Sequence, residues 1–214
     1  MKKMLLGAAL AVACPSVAHA QDGSEGAWSG FYFGAEAGVD NYELSADTDI
    51  ADTGFDASFD GISGDGVAGG VFAGYHMGFT GGFLAVEGFA GLSDASMGAS
   101  ISDGVDTFSL TAKAKESYGI AARLGAKVSR STAVYVRGGW INTKFKVTLS
   151  DGVDTLSESE TEDGFQYGAG METMVGANIA LRAEYVISDY SGAGLGDGVS
   201  LDNGSFRAGI SLRY

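Results

Sequence analysis

The sequence predicts an all-β protein, namely a closed, antiparallel transmembrane β-barrel of about eight strands that follows a cleaved signal peptide. Three observations predict this class. After about residue 27 the chain alternates between apolar and polar side chains, and clusters of Gly, Asp, Ser and Asn interrupt the alternation. No run beyond residue 20 is long and apolar enough for a membrane helix. Charged residues fall within the predicted strands, on the face opposite the apolar one.

The first 20 residues have the pattern of a secretory signal peptide. Two lysines precede an apolar stretch from Met4 to Ala13, and Ala18-His19-Ala20 form a small-x-small cleavage pattern. We therefore predict cleavage after Ala20 and a single barrel domain over residues 21–214. The alternative is a lipidated N-terminus at Cys14, which is disfavoured because the preceding Ala11-Val12-Ala13 lack the expected leucine and Pro15 follows.

Proline and cysteine are missing from the predicted mature chain, because Cys14 and Pro15 are the only ones present. Proline cannot donate to a β-ladder and is confined to edge strands, strand starts and bulges, whereas a closed barrel has no edges. The lack of proline therefore favours closure. The lack of cysteine means that stability must come from hydrogen bonding and burial rather than from disulfides.

Eight segments carry the alternation, and the last one is the clearest, with its apolar face ending on Tyr214. They cover about residues 28–44, 66–77, 82–97, 108–128, 133–149, 162–175, 179–190 and 205–214. Three connections are short, near residues 78–81, 129–132 and 176–178, and four are long, near residues 45–65, 99–107, 150–161 and 191–203. Short turns on one side and long loops on the other are typical of outer-membrane barrels, with the short turns in the periplasm. Several strands exceed the about 9 to 11 residues that span a membrane, so we expect hairpins that project from the outer surface.

The predicted strands place four acids and four bases on the inward face. In lipid the apolar side chains must face out, so these charges form a predicted lumen charge network. Its members are Glu36, Glu87, Glu172, Glu184, Arg123, Arg137, Arg182 and Arg207. We expect Glu36 near Arg207 where the first and last strands meet, and Glu172 near Arg182 or Glu184. A gate across a narrow pore is the alternative, but polar filler is favoured, because an eight-stranded barrel is just wide enough for side chains to fill it.

Large aromatic residues near the predicted strand ends indicate the membrane interfaces. We interpret six of them as interfacial belt residues, namely Trp28, Tyr75, Tyr118, Trp140, Tyr185 and Tyr214. These positions are better explained by the membrane boundary than by a ligand pocket.

No residues that would form a catalytic, cofactor or metal site emerge from the sequence, and we predict that the protein is not an enzyme. The one histidine of the mature chain, His76, is predicted to face inward beside a short turn, without a nucleophile and acid to complete a constellation. The long loops are acidic, and Asp47-Thr48-Asp49 would suit a hard cation, but the spacing of a calcium loop is missing. Solvated tips are therefore favoured over a metal site. The net charge of −14 disfavours nucleic acid as a partner.

Two short stretches carry a family resemblance. Trp28-Ser29-Gly30-Phe31-Tyr32-Phe33-Gly34 and the terminal Ser211-Leu212-Arg213-Tyr214 resemble the small porin-like outer-membrane proteins of alphaproteobacteria, within the opacity-protein and OmpA-like barrel group. This resemblance implies an eight-stranded barrel in a Gram-negative cell envelope. It also implies that Tyr214 is an assembly signal read by the barrel-assembly machinery.

The resemblance implies a role in envelope integrity or surface contact rather than one shared activity. We predict an outer-membrane protein with extracellular loops and both mature termini in the periplasm, surrounded by lipid and lipopolysaccharide. Its expected role is structural, with at most a narrow gated pore. The alternative is an adhesin or ligand-binding protein that contacts a host or surface partner through the long acidic loops.

Overall fold

The computed structural model describes residues 28–50, 55–102, 107–150, 155–190 and 199–214, so the predicted signal peptide with its cleavage after Ala20 lies outside the described residues. Nine strands run through them. They are β1 (Gly30–Ile50), β2 (Phe55–Phe79), β3 (Gly82–Ser93), β4 (Ser96–Ser102), β5 (Thr107–Lys127), β6 (Thr132–Ser150), β7 (Thr155–Met174), β8 (Ile179–Asp189) and β9 (Val199–Arg213). No helix in this part of the chain is long and apolar enough to cross a membrane.

The strands close into a ring of antiparallel pairs. β1 pairs with β2 on one side and with β9 on the other, and β3 pairs with β5. β3 and β4 form one barrel strand, because only Asp94 and Ala95 separate them and both stay in the ladder. Asp94 N donates to Val67 O at 3.1 Å, and Ala114 N donates to Ala95 O at 3.0 Å. The predicted closed eight-stranded barrel is confirmed.

The three predicted short connections are tight turns at one end of the barrel, which we call the turn end. Thr80 and Gly81 join β2 to β3, and Gly81 has a φ of 87°, a left-handed conformation that glycine adopts without a steric cost. The other two turns cover residues 128–131 and 175–178. The first and last described strands also begin and end here.

We call the opposite end the hairpin end. The prediction of long loops there is wrong over much of their length, because the strands continue into them. The ladders continue to Ile50 opposite Phe55, to Ser102 opposite Thr107 and to Ser150 opposite Thr155. The fourth connection includes residues 191–198, which lie outside the described residues, but β9 already begins at Val199. Apolar alternation fades where strands leave the membrane, because no apolar face is needed in water, while backbone pairing continues.

An exposed apolar band surrounds the barrel, as the outward alternation predicts. Burial alternates along β3 between inward and outward positions, and large apolar side chains stand exposed on all eight barrel strands. Tyr75, Tyr118, Trp140, Tyr185 and Tyr214 are between 40% and 66% exposed, as expected of belt residues.

The interpretation of Trp28 as a belt residue is wrong, because its side chain is fully buried. It precedes β1 but has the same parity as the buried Tyr32, so the inward face of the alternation extends to it and a belt position does not. Its ring stacks on Phe83 inside the barrel, with 5.2 Å between ring centroids. Trp28 is a plug residue of the turn end rather than a belt residue.

Candidate functional site: the charged interior of the barrel

All eight predicted lumen residues lie inside the barrel. Seven are at most 9% exposed, and the Glu36 side chain is 6% exposed. Period-two alternation places them there, since each shares its strand face with buried neighbours and opposes the lipid-facing set. What alternation cannot specify is which acid meets which base.

Glu87 on β3 is the centre of the network. Its Oε2 accepts hydrogen bonds from Arg182 Nη1 at 2.6 Å, from Tyr32 Oη at 2.9 Å and from Arg123 Nη1 at 3.4 Å. These three donors come from β8, β1 and β5, so one carboxylate links four strands of the barrel wall. Hydrogen bonds to a charged acceptor are stronger than neutral ones, by roughly a factor of two.

Arg182 on β8 is the matching central base. Its guanidinium binds Glu36 and Glu87 and lies 3.6 Å from Glu184 Oε1. The same group sits over the ring of Phe72, 3.4 Å from the ring centroid. Hydrogen bonds at the edge of the guanidinium and stacking on its face both offset the free-energy cost of removing its charge from water.

A second set of contacts surrounds Glu184. Arg137 Nη1 donates to its Oε1 at 2.6 Å, and Tyr135 Oη donates to its Oε2 at 2.8 Å. Arg137 also donates to Gln166 Oε1 at 3.3 Å, and Gln166 Nε2 donates to Ser188 Oγ at 3.1 Å. These contacts extend the network from the middle of the barrel towards the hairpin end.

The prediction for Glu172 requires a correction. Glu172 does lie opposite Arg182 in the β7–β8 register, as expected. Its ion pairs, however, are with Arg123, at 2.6 Å, and with Arg213. Arg123 and Arg213 lie on β5 and β9, each two strands from β7, so these long side chains reach past the neighbouring strand instead of pairing in register.

The predicted contact at the seam of the barrel is present. Arg207 Nη1 on β9 donates to Glu36 Oε1 on β1 at 3.1 Å. Arg207 also lies 3.8 Å from Asp40 Oδ1, which accepts a hydrogen bond from Ser205 Oγ at 2.7 Å. The first and last strands are therefore joined by side chains as well as by backbone.

Sequence reasoning missed five members of the network, namely Tyr32, Asp40, Tyr135, Gln166 and Arg213. Strand parity is the signal that could have found them. Asp40 is four residues from Glu36, and Arg213 is six residues from Arg207, so each shares the inward face with a residue that was predicted.

With these additions, the ion pairs join five acids to five arginines: Glu36, Asp40, Glu87, Glu172 and Glu184 with Arg123, Arg137, Arg182, Arg207 and Arg213. The described interior ion pairs thus balance in charge. An unpaired buried charge costs several kcal/mol, and removing one partner of a buried pair destabilises by about 3 to 5 kcal/mol. Removal of any one of these charges should therefore destabilise the barrel, because its partner would be left buried and unpaired.

Aromatic layers lie at both ends of the charges. At the turn end, Trp28 stacks on Phe83, His76 meets Phe83 edge-on at 4.7 Å, and Arg213 sits 4.5 Å from the Trp28 ring. These side chains pack inside the barrel below the central ion pairs.

At the hairpin end, the edge of Phe145 meets Tyr42 at 5.8 Å and Tyr190 at 5.6 Å, and Tyr190 and Thr143 hydroxyls lie 2.8 Å apart. A cavity of about 20 Å³ lies beside Glu36 and Arg207. That volume holds one or two water molecules, at roughly 10 to 15 Å³ each.

Inward glycines make room for the tyrosines of this interior. A Cβ atom at Gly170 would lie 2.6 Å from Cζ of Tyr135, and one at Gly74 would lie 2.7 Å from Cζ of Tyr32. Both rings cross the neighbouring strand at these glycines, and their hydroxyls reach Glu184 and Glu87 from there. The glycines are needed for space rather than for an unusual backbone conformation.

His76 faces inward near a turn, as predicted, but it packs among aromatic rings. Its ring stacks on Tyr32 with 4.3 Å between centroids, and Phe83 lies edge-on to it. Within the described residues no group of three His, Cys, Asp or Glu side chains has an arrangement that could hold a metal ion.

Outside the apolar band, the rim of the hairpin end carries acids in register. Asp202 on β9 stands opposite Glu43 on β1 and opposite Asp189 on β8. Partial burial raises the pKa of Asp202, and the neighbouring carboxylates of Asp189 and Glu43 raise it further. This rim is therefore a site of charge repulsion.

A closed barrel with a lipid-facing apolar band and a charged interior agrees with the result of a comparison with known protein families. Residues 6–214 match the family model described as "Outer membrane protein beta-barrel domain". The chain belongs to this family. As an outer-membrane β-barrel protein, it sits in the lipid of the outer membrane of a Gram-negative envelope.

Several solved barrels are similar to this outer-membrane β-barrel protein. Ail of Yersinia pestis, solved with the heparin analogue sucrose octasulfate, is 16% identical, with 86% of this chain and 99% of that chain covered and a TM-score of 0.47. Neisserial surface protein A is 20% identical, with 87% and 98% covered and a TM-score of 0.49. The outer membrane protease OmpT of Escherichia coli is 7% identical, with 86% and 97% covered and a TM-score of 0.48. A search of curated proteins found no match.

Proposed function

We propose that this protein is a non-enzymatic, structural barrel of the outer membrane whose lumen is closed at rest. The observation that carries the proposal is the filled interior, in which paired charges occupy the middle and aromatic layers occupy both ends. A solute path would have to separate several buried ion pairs at once. The lumen charges therefore act as polar filler that ties the strands together, and conductance is at most narrow and gated.

The two aromatic layers support closure independently of the charges. Trp28 and Phe83 lie below the ion pairs, and Phe145 and Tyr190 lie above them. Even if Arg182 and Glu87 separated transiently, an ion would still meet apolar rings at each end. An envelope role that needs only a stable wall and exposed hairpins is compatible with such an interior.

We further propose that the hairpin end is extracellular and the turn end periplasmic, with both mature termini in the periplasm. Short periplasmic turns and long extracellular connections are the usual arrangement of outer-membrane barrels. Labelling tests the orientation, because Cys14 is the only cysteine of the chain and belongs to the predicted signal peptide. In intact cells, a membrane-impermeant maleimide should label Ser157→Cys in the exposed part of β7 and should leave Ser129→Cys at a turn unlabelled.

A surface-binding role is the second candidate, and one observation favours it. Beyond the apolar band, β5, β6 and β7 remain paired as a three-stranded sheet up to Ser150 opposite Thr155. A paired sheet above the membrane is a preorganised contact surface for a host or surface partner. Shortening the tips at Ser102–Thr107 and Ser150–Thr155 should abolish cell or ligand adhesion while leaving an envelope role intact.

Single-channel recording tests the closed lumen. The mature protein is refolded, its folding is checked by a heat-modifiability gel, and it is inserted into planar bilayers. We expect a folded barrel without discrete openings. Discrete openings that change when Glu36→Gln or Arg137→Met is introduced would overturn closure and make the charge network a gate.

A further inference from the structure

The exposed cations of the hairpin end are confined to two neighbouring strands. They are Lys113 and Lys115 on β5 and Lys144 and Lys146 on β6, and all four are exposed. We call these four residues the lysine patch. The other basic residues of the described chain lie in the lumen or near the turn end, as Lys127 and Arg130 do. Such segregation is unexpected in a protein with a net charge of −14.

The lysine patch lies directly beyond the lipid-facing surface. On β5 and β6 the apolar band ends at Tyr118 and Trp140, whose rings meet edge-on with 5.8 Å between centroids. Lys144 follows Trp140 by four positions on the same face. At about 3.4 Å per residue along a tilted strand, its backbone is roughly 10 Å above the aromatic pair. This is the height at which membrane headgroups begin.

A β-bulge concentrates the charges further. The β5–β6 register shifts between Ala114 and Ser117, so that Lys115 and Glu116 together oppose Lys144. Ala114 remains buried at 3% exposure, and both bulge residues are exposed. The bulge thus adds an outward side chain where a regular ladder would place one inward.

Little on the outward face compensates the patch, because the neighbouring acids Glu158, Glu160 and Glu162 stand opposite inward-facing positions of β6. Lys113 stands directly opposite Lys146 in the register, and like charges in that position are destabilising. Among the described residues, the ion pair formed by the patch joins Lys144 to Glu116 at 3.9 Å, with both side chains well exposed. An exposed pair of that length contributes little. A bound anion would relieve the repulsion.

Hydroxyl groups border the lysines on the next strand. Thr161 stands opposite Lys144 and Ser159 opposite Lys146 in the β6–β7 register. Both are exposed. Ammonium groups beside hydroxyl groups are donors suited to phosphate oxygens and to sugar hydroxyls.

We propose that the lysine patch binds the phosphate groups of a phosphorylated glycolipid of the outer leaflet, an inference that rests on the proposed extracellular position of the hairpin end. The acyl chains of such a lipid would lie along the apolar band below Tyr118 and Trp140, and its phosphates would meet the lysines above them. A soluble polyanion would gain only the second contact and would be repelled by the acidic rim at Glu43, Asp189 and Asp202. Continuity of the patch with the lipid-facing surface therefore favours a lipid.

Binding of labelled lipid A to the folded protein tests the site. The full mature protein is held in zwitterionic micelles, and the anisotropy of a fluorescent lipid A with both phosphates is followed during titration. The test variant is Lys144→Gln with Lys146→Gln. The matched control is Lys127→Gln with Arg130→Gln, which removes two positive charges from the other end of the same hairpin. A heat-modifiability gel checks that every variant is folded.

We expect the patch variant to bind phosphorylated lipid A at least about tenfold more weakly than the original protein, since each lysine near an anionic surface contributes roughly a fivefold gain. The control should bind as the original does, and dephosphorylated lipid A should bind weakly to all three. Equal binding by the patch variant, an equal loss in the control, or displacement of lipid A by millimolar inorganic phosphate alone would overturn the site. Conductance does not enter this assay, so its failure is separate from a failure of the closed-lumen proposal.

Discussion

Glu87 and Arg182 form an ion pair of 2.6 Å between β3 and β8, two strands on opposite sides of the barrel. Four steps around the ring separate these strands in either direction, counting β3 and β4 as one. Backbone hydrogen bonds join only neighbours, whereas this pair joins opposite walls. The interior charges therefore resist flattening of the cylinder as well as strand separation.

Removing the central base should destabilise the barrel strongly. Arg182→Met leaves Glu36 and Glu87 each without one buried partner, so we expect a loss of about 3 to 5 kcal/mol in the free energy of unfolding. Urea unfolding in zwitterionic micelles, followed by gel mobility, measures it. Arg130→Met at an exposed turn is the control and should stay within about 0.5 kcal/mol. An equally small effect of Arg182→Met would show that the network is dispensable.

The space that Gly170 leaves for the Tyr135 ring should be essential for stability. In Gly170→Ala the new methyl group meets the Tyr135 ring and the Ala183 carbonyl, which displaces the tyrosine hydroxyl from Glu184. We expect a loss of about 1 to 3 kcal/mol, as is typical of overpacking. Gly88→Ala is the matched control, because its nearest neighbour would be the Gly119 carbonyl oxygen at 4.0 Å. The same unfolding assay applies, and equal stability of the two variants would contradict this packing.

Charge repulsion at the rim of the hairpin end should make stability depend on pH. The pKa of Asp202 is raised in the folded protein, so the folded state binds this proton more readily than the unfolded state does. The stabilisation from Asp202 is therefore complete below the unfolded value of about 4 and is lost as the pH rises through the folded pKa. Asp202→Asn should consequently raise the thermal midpoint at pH 7, with an advantage that shrinks below pH 4.

Gel mobility after heating at each pH measures this midpoint. Asp65→Asn is the control, since Asp65 stands opposite Asn41 rather than opposite an acid. An Asp202→Asn variant that is less stable than the original at pH 7 would show that the carboxylate has a favourable partner.

Tyr214 should matter for assembly more than for stability. Its backbone N–H donates to Phe31 O at 2.9 Å, and its ring, 66% exposed, stacks on Phe33 at 5.8 Å. Tyr214→Ala keeps the backbone bond and loses the ring pair, a change of about 0.5 to 1.5 kcal/mol in the refolded protein. If the terminal aromatic is an assembly signal, the amount in the outer membrane should fall severalfold.

Phe33→Ala is the matched control, because it removes the same ring pair and leaves the terminus intact. Fractionation of cell envelopes gives the amounts, and unfolding of refolded protein gives the stability. Equal amounts of both variants in the outer membrane would reduce the role of Tyr214 to packing.

The sequence alone determined the barrel, its tight turns and the inward direction of the charges. Alternation with a period of two assigns each residue to one face, and lipid outside requires the apolar face to point outward. Glu36, Glu87 and Arg182 could be placed in the lumen for that reason. The seam contact of Glu36 with Arg207 was also within reach, because closure must bring the first strand beside the last.

Only the tertiary structure decided which charges pair and how the lumen ends are filled. Glu172 on β7 pairs with Arg123 on β5 and Arg213 on β9 instead of its register partner Arg182, because side chains of this length reach past the neighbouring strand inside the barrel. Trp28 lies before the observed first strand. Its parity matches the inward face, but its stacking on Phe83 and its contact with Arg213 depend on how the turn end packs. Alternation along a strand determines direction, whereas contacts across a closed cylinder depend on its diameter and stagger, which exist only once the ring has closed.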